Sequence, residues 1–88
     1  MEITFDPAKD ETNIQKHGIS LSEAHKIEWD TLWGYEDTRS NYGEIRIIGF
    51  AYIGVRLHCV VFTDRGDFRR IISLRKANRK EIERYAEA

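Results

Sequence analysis

One cysteine, one proline and one methionine stand among 88 residues. Cys59 has no second cysteine to pair with, which excludes a disulfide framework and any thiolate-based structural zinc site. A lone thiol suits a reducing cytosol. No apolar run approaches the roughly 20 residues that a membrane-crossing helix needs. Met1-Glu2-Ile3 offers neither the basic nor the apolar region of a signal peptide, so a cytoplasmic location is expected. The length leaves no room for a Rossmann fold, a TIM barrel or a second domain, and one domain over residues 1–88 is expected. What is present is a globular mixture, 41% hydrophobic and 33% charged, with enough Ile, Val, Leu and Phe to argue against disorder.

The formal net charge of −1 conceals a division along the chain. Residues 65–80 hold Arg65, Arg69, Arg70, Arg75, Lys76, Arg79 and Lys80 against the single acid Asp67. Residues 2–44 hold ten acids against Lys9, Lys16, Lys26 and Arg39. A basic segment inside an otherwise acidic chain is a local signal for an anionic partner.

Ile3-Thr4-Phe5 alternates and reads as an edge strand. Asp6-Pro7 opens a helix as N-cap and first helical residue, and Gly18 closes it. Ser20-Leu21-Ser22-Glu23 is a capping box for a second helix with Leu21, Ala24 and Ile27 inward, ending near Trp29-Asp30. Strands are expected over Thr31–Tyr35, Glu44–Ile53, Val55–Thr63 and Phe68–Leu74, with turns at Asp37–Gly43, Gly54 and Asp64–Asp67. Asn78-Arg79-Lys80-Glu81 opens a C-terminal helix whose apolar stripe is Ile82, Tyr85 and Ala86. The expected fold is α+β: an antiparallel sheet of four to five strands, two N-terminal helices and one C-terminal helix, with the helices on one face. Phe5, Ile47, Val61, Ile72 and Ile82 are expected in the core.

The chemistry is expected at the basic end. A period of two along the last strand puts Arg69, Ile71, Ser73 and Arg75 on one face and Arg70, Ile72 and Leu74 on the other. Two arginines and a serine side by side can grip a phosphate. Arg79 and Lys80 occupy helix positions that normally favour acids, a violation that a bound anion would offset. His17 lies in the last turn of the first helix, where the negative helix end favours a cation fit to act as an acid or to hold a phosphate. His25 and His58 read as packing or surface residues. The histidine spacing matches no zinc motif, so no metal or other cofactor is assigned. Cys59 and His58 face opposite ways, which argues against a nucleophile pair.

The chain resembles the BrnT-type toxins. The resemblance rests on Phe5-Asp6-Pro7-Ala8-Lys9, Asn13 through Ser20, Glu23-Ala24, Gly43 through Arg46, Ile48-Gly49, Arg70 through Ala77, Arg79-Lys80-Glu81 and Tyr85. It implies a RelE-like fold, a metal-independent endoribonuclease of a type II toxin–antitoxin system, an RNA substrate and a cognate ribbon-helix-helix antitoxin of the BrnA kind. No membrane partner is implied, and a homodimer is admitted. RNA cleavage without metal needs a base for the 2′-OH, cations for the charged phosphorane and an acid for the leaving 5′ oxygen. His17, Arg70, Ser73 and Arg75 are the catalytic candidates under that reading. Arg46, Arg65, Lys76, Arg79 and Lys80 are the phosphate-binding ones. The base is open among His17, Asp64 and Glu44. The alternative is a module that uses the basic face of residues 65–80 to bind protein or nucleic acid without reaction.

Overall fold

The structure, a computed structural model, describes residues 1–88. Strand β1 spans Glu2–Phe5 and helix α1 spans Pro7–His17. The Asp6 carboxylate accepts the Ala8 N–H at 2.9 Å, and Gly18 ends the helix in the left-handed region at φ 70° with its N–H bonded to the Ile14 carbonyl. The next helix differs from expectation: Leu21–Lys26 is a 3₁₀ helix. Leu21, Ala24 and Ile27 recur every third residue, and all three are buried. That repeat fits three residues per turn, so the short segment keeps its apolar side inward by winding tightly. It delivers the chain directly into β2, Glu28–Glu36, where the sequence suggested a helix end.

Strands β3 (Ile47–Ile53), β4 (Arg56–Arg65) and β5 (Phe68–Lys76) follow, and helix α2 spans Arg79–Glu87. The sheet order is β1-β5-β4-β3-β2. Strands β2 to β5 form the expected antiparallel meander, but β1 pairs parallel with β5, so the five-stranded sheet is mixed. The meander leaves β5 with a free row of N–H and C=O groups, and β1 satisfies part of it. The helices also divide. Segment 21–26 packs with Val60, Phe62, Ile71 and Leu74 on one face, the face that α1 joins. On the other face α2 brings Tyr85 against Phe50, Leu57, Cys59 and Ala77. Helix cover on a single face is therefore corrected.

A β-bulge changes which side chains share a face. Val61 pairs with Ser73 and Phe62 with Ile71, leaving Ile72 unopposed. Ile71 and Leu74, three residues apart, both enter the core. Arg70, Ser73 and Arg75 consequently share the other face, and Arg69 turns away from them to the Trp29–Phe62 side. There its guanidinium sits 4.5 Å and 4.3 Å from those ring centroids and pairs with Asp64. The expected core needs correction as well. Phe5, Ile47, Val61 and Ile72 are only half-buried, and Ile82 is exposed. The bulge takes Ile72 out of the core alternation, and the nine residues of α2 are too few to cover the whole of their sheet face.

The β2–β3 loop is organised by one carboxylate. Buried Asp37 accepts from the Arg39 N–H, Nε and Nη2 and from the Tyr42 hydroxyl at 2.8–3.1 Å. The Arg39 hydrogen bonds hold its carboxyl well below the usual carboxylate range. Glu44, beside Arg65, and Glu81, beside Arg75, are lowered too. Carboxyls depressed in the fold contribute stability that is complete above their unfolded values, about 4, and is lost as pH falls through the folded values. Urea unfolding from pH 7 to pH 2.5 should therefore show falling stability below about pH 4. Asp37→Asn should flatten that decline; a wild-type profile flat across the range contradicts it.

Candidate functional site

Helix α1 carries Lys9, Thr12, Asn13 and Lys16 at spacings of three and four, which places them along one stripe. Asn13 is the buried member, 4% exposed. Strand β1 stops opposite Ile71, and farther along, the Asn13 amide takes over the β5 edge. Its Nδ2 donates to the Leu74 carbonyl at 2.7 Å, and its Oδ1 accepts the Leu74 N–H at 3.2 Å. The same Nδ2 donates to the Ile19 carbonyl at 2.9 Å. One side chain thus imitates a strand peptide and pins α1 to the sheet edge, with Lys9 and Lys16 flanking the pin.

A hollow of about 350 Å³ opens between this helix stripe and the β5 edge, lined by Ala8, Lys9, Thr12, Asn13, Lys16, His17, Ile72 and Ser73. A second, about 610 Å³, lies past the helix end and is lined by Lys16, His17, Gly18, Ile19, Glu23, Ile53, His58, Arg75 and Lys76. Lys16 and His17 border both. Lys9, Lys16 and Lys76 have no carboxylate within 4.0 Å, whereas Glu23, the one acid here, is paired with Lys26 at 3.2 Å. The cleft therefore carries uncompensated positive charge. Nowhere do three His, Cys, Asp or Glu side chains converge in a group fit for a metal ion.

The nine candidates from the sequence are distributed unevenly. His17, Ser73, Arg75 and Lys76 border the cleft. The guanidinium of Arg75 is nevertheless held on the α2 side by both Glu81 oxygens, at 2.8 and 2.9 Å, which raises the guanidinium's pKa and lowers the carboxyl's. Arg70 stands 3.8 Å from Asp6, at the start of α1. At the α2 start, Asn78 and Glu81 cap each other, so a carboxylate of the chain itself occupies the place considered for an external anion. Arg79 is almost fully exposed and Lys80 is exposed. Arg46 and Arg65 share Glu44 at the far end of the sheet, and Arg46 also covers the Tyr42 ring at 4.0 Å. Arg65 pairs with Phe68, seven residues before Arg75 on β5, which is more than 20 Å at about 3.3 Å per residue. Sequence reasoning passed over Lys9, Asn13, Lys16 and His58. The signal for the first three was available in their helical spacing; His58 gave none.

Fold and cleft together define a small α+β protein with a cationic groove along an open sheet edge. The chain belongs to the BrnT family: a family model described as "Ribonuclease toxin, BrnT, of type II toxin-antitoxin system" matches residues 5–81. Membership implies an RNA target and a protein antitoxin as partner. No curated protein matches the sequence. No helix is long and apolar enough to cross a membrane.

Proposed function

We propose that this toxin is a metal-independent endoribonuclease that holds and cuts RNA in the cleft between α1 and the β5 edge. Three lysines without carboxylate partners beside His17 are the observation that carries the reading. Lys9, Lys16 and Lys76 hold successive phosphates and stabilise charge developing on the reacting one. Arg70, Ser73 and Arg75 share the strand face away from α1. From there the Ser73 hydroxyl and the two guanidinium groups meet the phosphate around the β5 edge, Arg75 by exchanging Glu81 for it. His17 protonates the leaving 5′ oxygen. Arg79 and Lys80, just past Lys76, extend the cationic track. Arg46 and Arg65 lie too far away to share that phosphate. The lining of cations repels a divalent ion, which supports chemistry without one. A RelE-like fold belongs to the same reading, as does neutralisation by a BrnA-like ribbon-helix-helix antitoxin that covers the cleft.

The direct test is single-turnover cleavage of labelled RNA in EDTA. Cleavage leaving 2′,3′-cyclic phosphate and 5′-hydroxyl ends is expected; cutting only after a divalent ion is restored contradicts the reading. The Arg75–Glu81 pair favours a second reading, a binding module without reaction: it withholds from a reacting phosphate a guanidinium that charge stabilisation would use, while the unpaired lysines still bind. RNA bound and never cut would establish that one. Binding itself should fall steeply with salt, by a log–log slope of about −0.7 for each phosphate neutralised on single strands. Lys9→Ala and Lys16→Ala should each reduce that slope by about one phosphate's worth, while Arg65→Ala leaves it unchanged. A salt-independent affinity, or the reverse ranking of variants, would count against the cleft.

A further inference from the structure

Resting on the ribonuclease reading, the geometry points to His58 as the general base, the proton acceptor that the sequence did not identify. The carboxylates first considered do not reach the acid. Glu44 is tied to Arg65 and Asp64 to Arg69, both near the end of the sheet remote from His17. A base must stand within hydrogen-bond reach of the nucleotide that the acid also serves. His58 pairs with Lys76 across β4 and β5 and shares its face with Val60 and Phe62, the face toward α1. It borders the same hollow as His17 although only 5% of it is exposed.

Its hydrogen-bonding fixes the tautomer. Nδ1 lies 2.9 Å from the Arg56 carbonyl oxygen. A carbonyl only accepts, so Nδ1 carries the hydrogen, and in the neutral ring Nε2 is a bare acceptor. The charged groups around the hollow are Lys16 and His17 from α1, Glu23 from the 3₁₀ helix, and Arg75 and Lys76 from β5; β3 contributes only Ile53. Glu23 is the competing base, but Lys26 engages it.

The step balances. Nε2 of His58 takes the 2′-OH proton as the 2′ oxygen bonds to phosphorus. The P–O5′ bond breaks, and His17 gives its proton to the departing 5′ oxygen. The products are a 2′,3′-cyclic phosphate and a 5′-hydroxyl, with no redox partner required.

The test compares wild type, His58→Gln, His58→Ala and Glu23→Gln in single-turnover RNA cleavage across pH, with circular dichroism as the folding control. His58→Gln should lose about 10²–10⁴-fold in rate, the scale of one general acid–base group, with RNA affinity retained. The acid limb of the wild-type profile should vanish in that variant and persist in Glu23→Gln. Added imidazole should restore cleavage by His58→Ala, which no structural role explains. A folded His58→Gln that cuts at the wild-type rate, or an acid limb lost in Glu23→Gln, overturns the assignment. Should both His58 variants unfold, a wild-type profile without an acid limb overturns it and a limb kept in Glu23→Gln supports it. A wild type that cuts no RNA overturns the ribonuclease reading and takes the base with it; a wild type that cuts beside an equally active His58→Gln overturns the base alone.

Discussion

His17→Ala is expected to lower single-turnover RNA cleavage by about 10²–10⁴-fold while leaving the fold intact. The side chain is exposed in the last turn of α1, and Gly18 directly after it carries the helix stop, so removing the imidazole removes no packing and no cap. The loss should fall on the rate and not on affinity, because Lys9, Lys16 and Lys76 remain to hold phosphates. His17→Gln, which can donate a hydrogen bond but not a proton, should be nearly as slow. A folded His17→Ala that cuts like wild type would remove His17 from the chemistry.

Asn13→Ala carries the largest expected cost in stability, about 2–5 kcal/mol. The Leu74 N–H, the Leu74 carbonyl and the Ile19 carbonyl all depend on that one amide, and each buried group left without a partner costs about 1–3 kcal/mol. Some water entry at the helix edge keeps the total below the simple sum. For a small domain with roughly 5–15 kcal/mol in all, that is a large share. Asn13→Asp should do little better near neutral pH. One oxygen still accepts the Leu74 N–H, but the other replaces the donor and faces two carbonyls. Acid should recover part of its stability by restoring a donor. Urea melts of the three proteins check this, and an Asn13→Ala cost inside the roughly 0.5 kcal/mol typical of surface substitutions would contradict it.

Local signals in the sequence located most of the elements. Asp6, Pro7 and Gly18 bracket α1, Asn78 and Glu81 start α2, and glycines 54 and 66 turn the β3–β4 and β4–β5 hairpins at φ 60° and 58°. Each signal acts within a few residues, so it survives without knowledge of the fold. The parallel docking of β1 joins residues more than sixty positions apart and leaves no local trace. The bulge at Ile72 has no glycine to announce it, yet it decides that Arg70 and not Arg69 shares a face with Arg75. The arginines were the most visible part of the candidate site. Arg46, Arg65, Arg69 and Arg75 are engaged by the carboxylates of Glu44, Asp64 and Glu81 once the fold sets their side chains facing one another. Lys9 and Lys16, inside the acidic half, are among the cations left unpaired. Charge counted along the chain cannot distinguish a cation already satisfied by the fold from one left for a ligand.

The central claim is that RNA lies in the α1–β5 cleft. The measurement that addresses it most directly is an NMR titration of the ¹⁵N-labelled protein with a short 2′-O-methyl RNA, which binds but has no 2′-OH to attack. The largest shift changes are predicted at Lys9, Asn13, Lys16, His17, Ser73 and Lys76, with Arg46 and Arg65 unmoved. Changes centred on Glu44, Arg46 and Arg65, with the α1 stripe silent, would contradict the account.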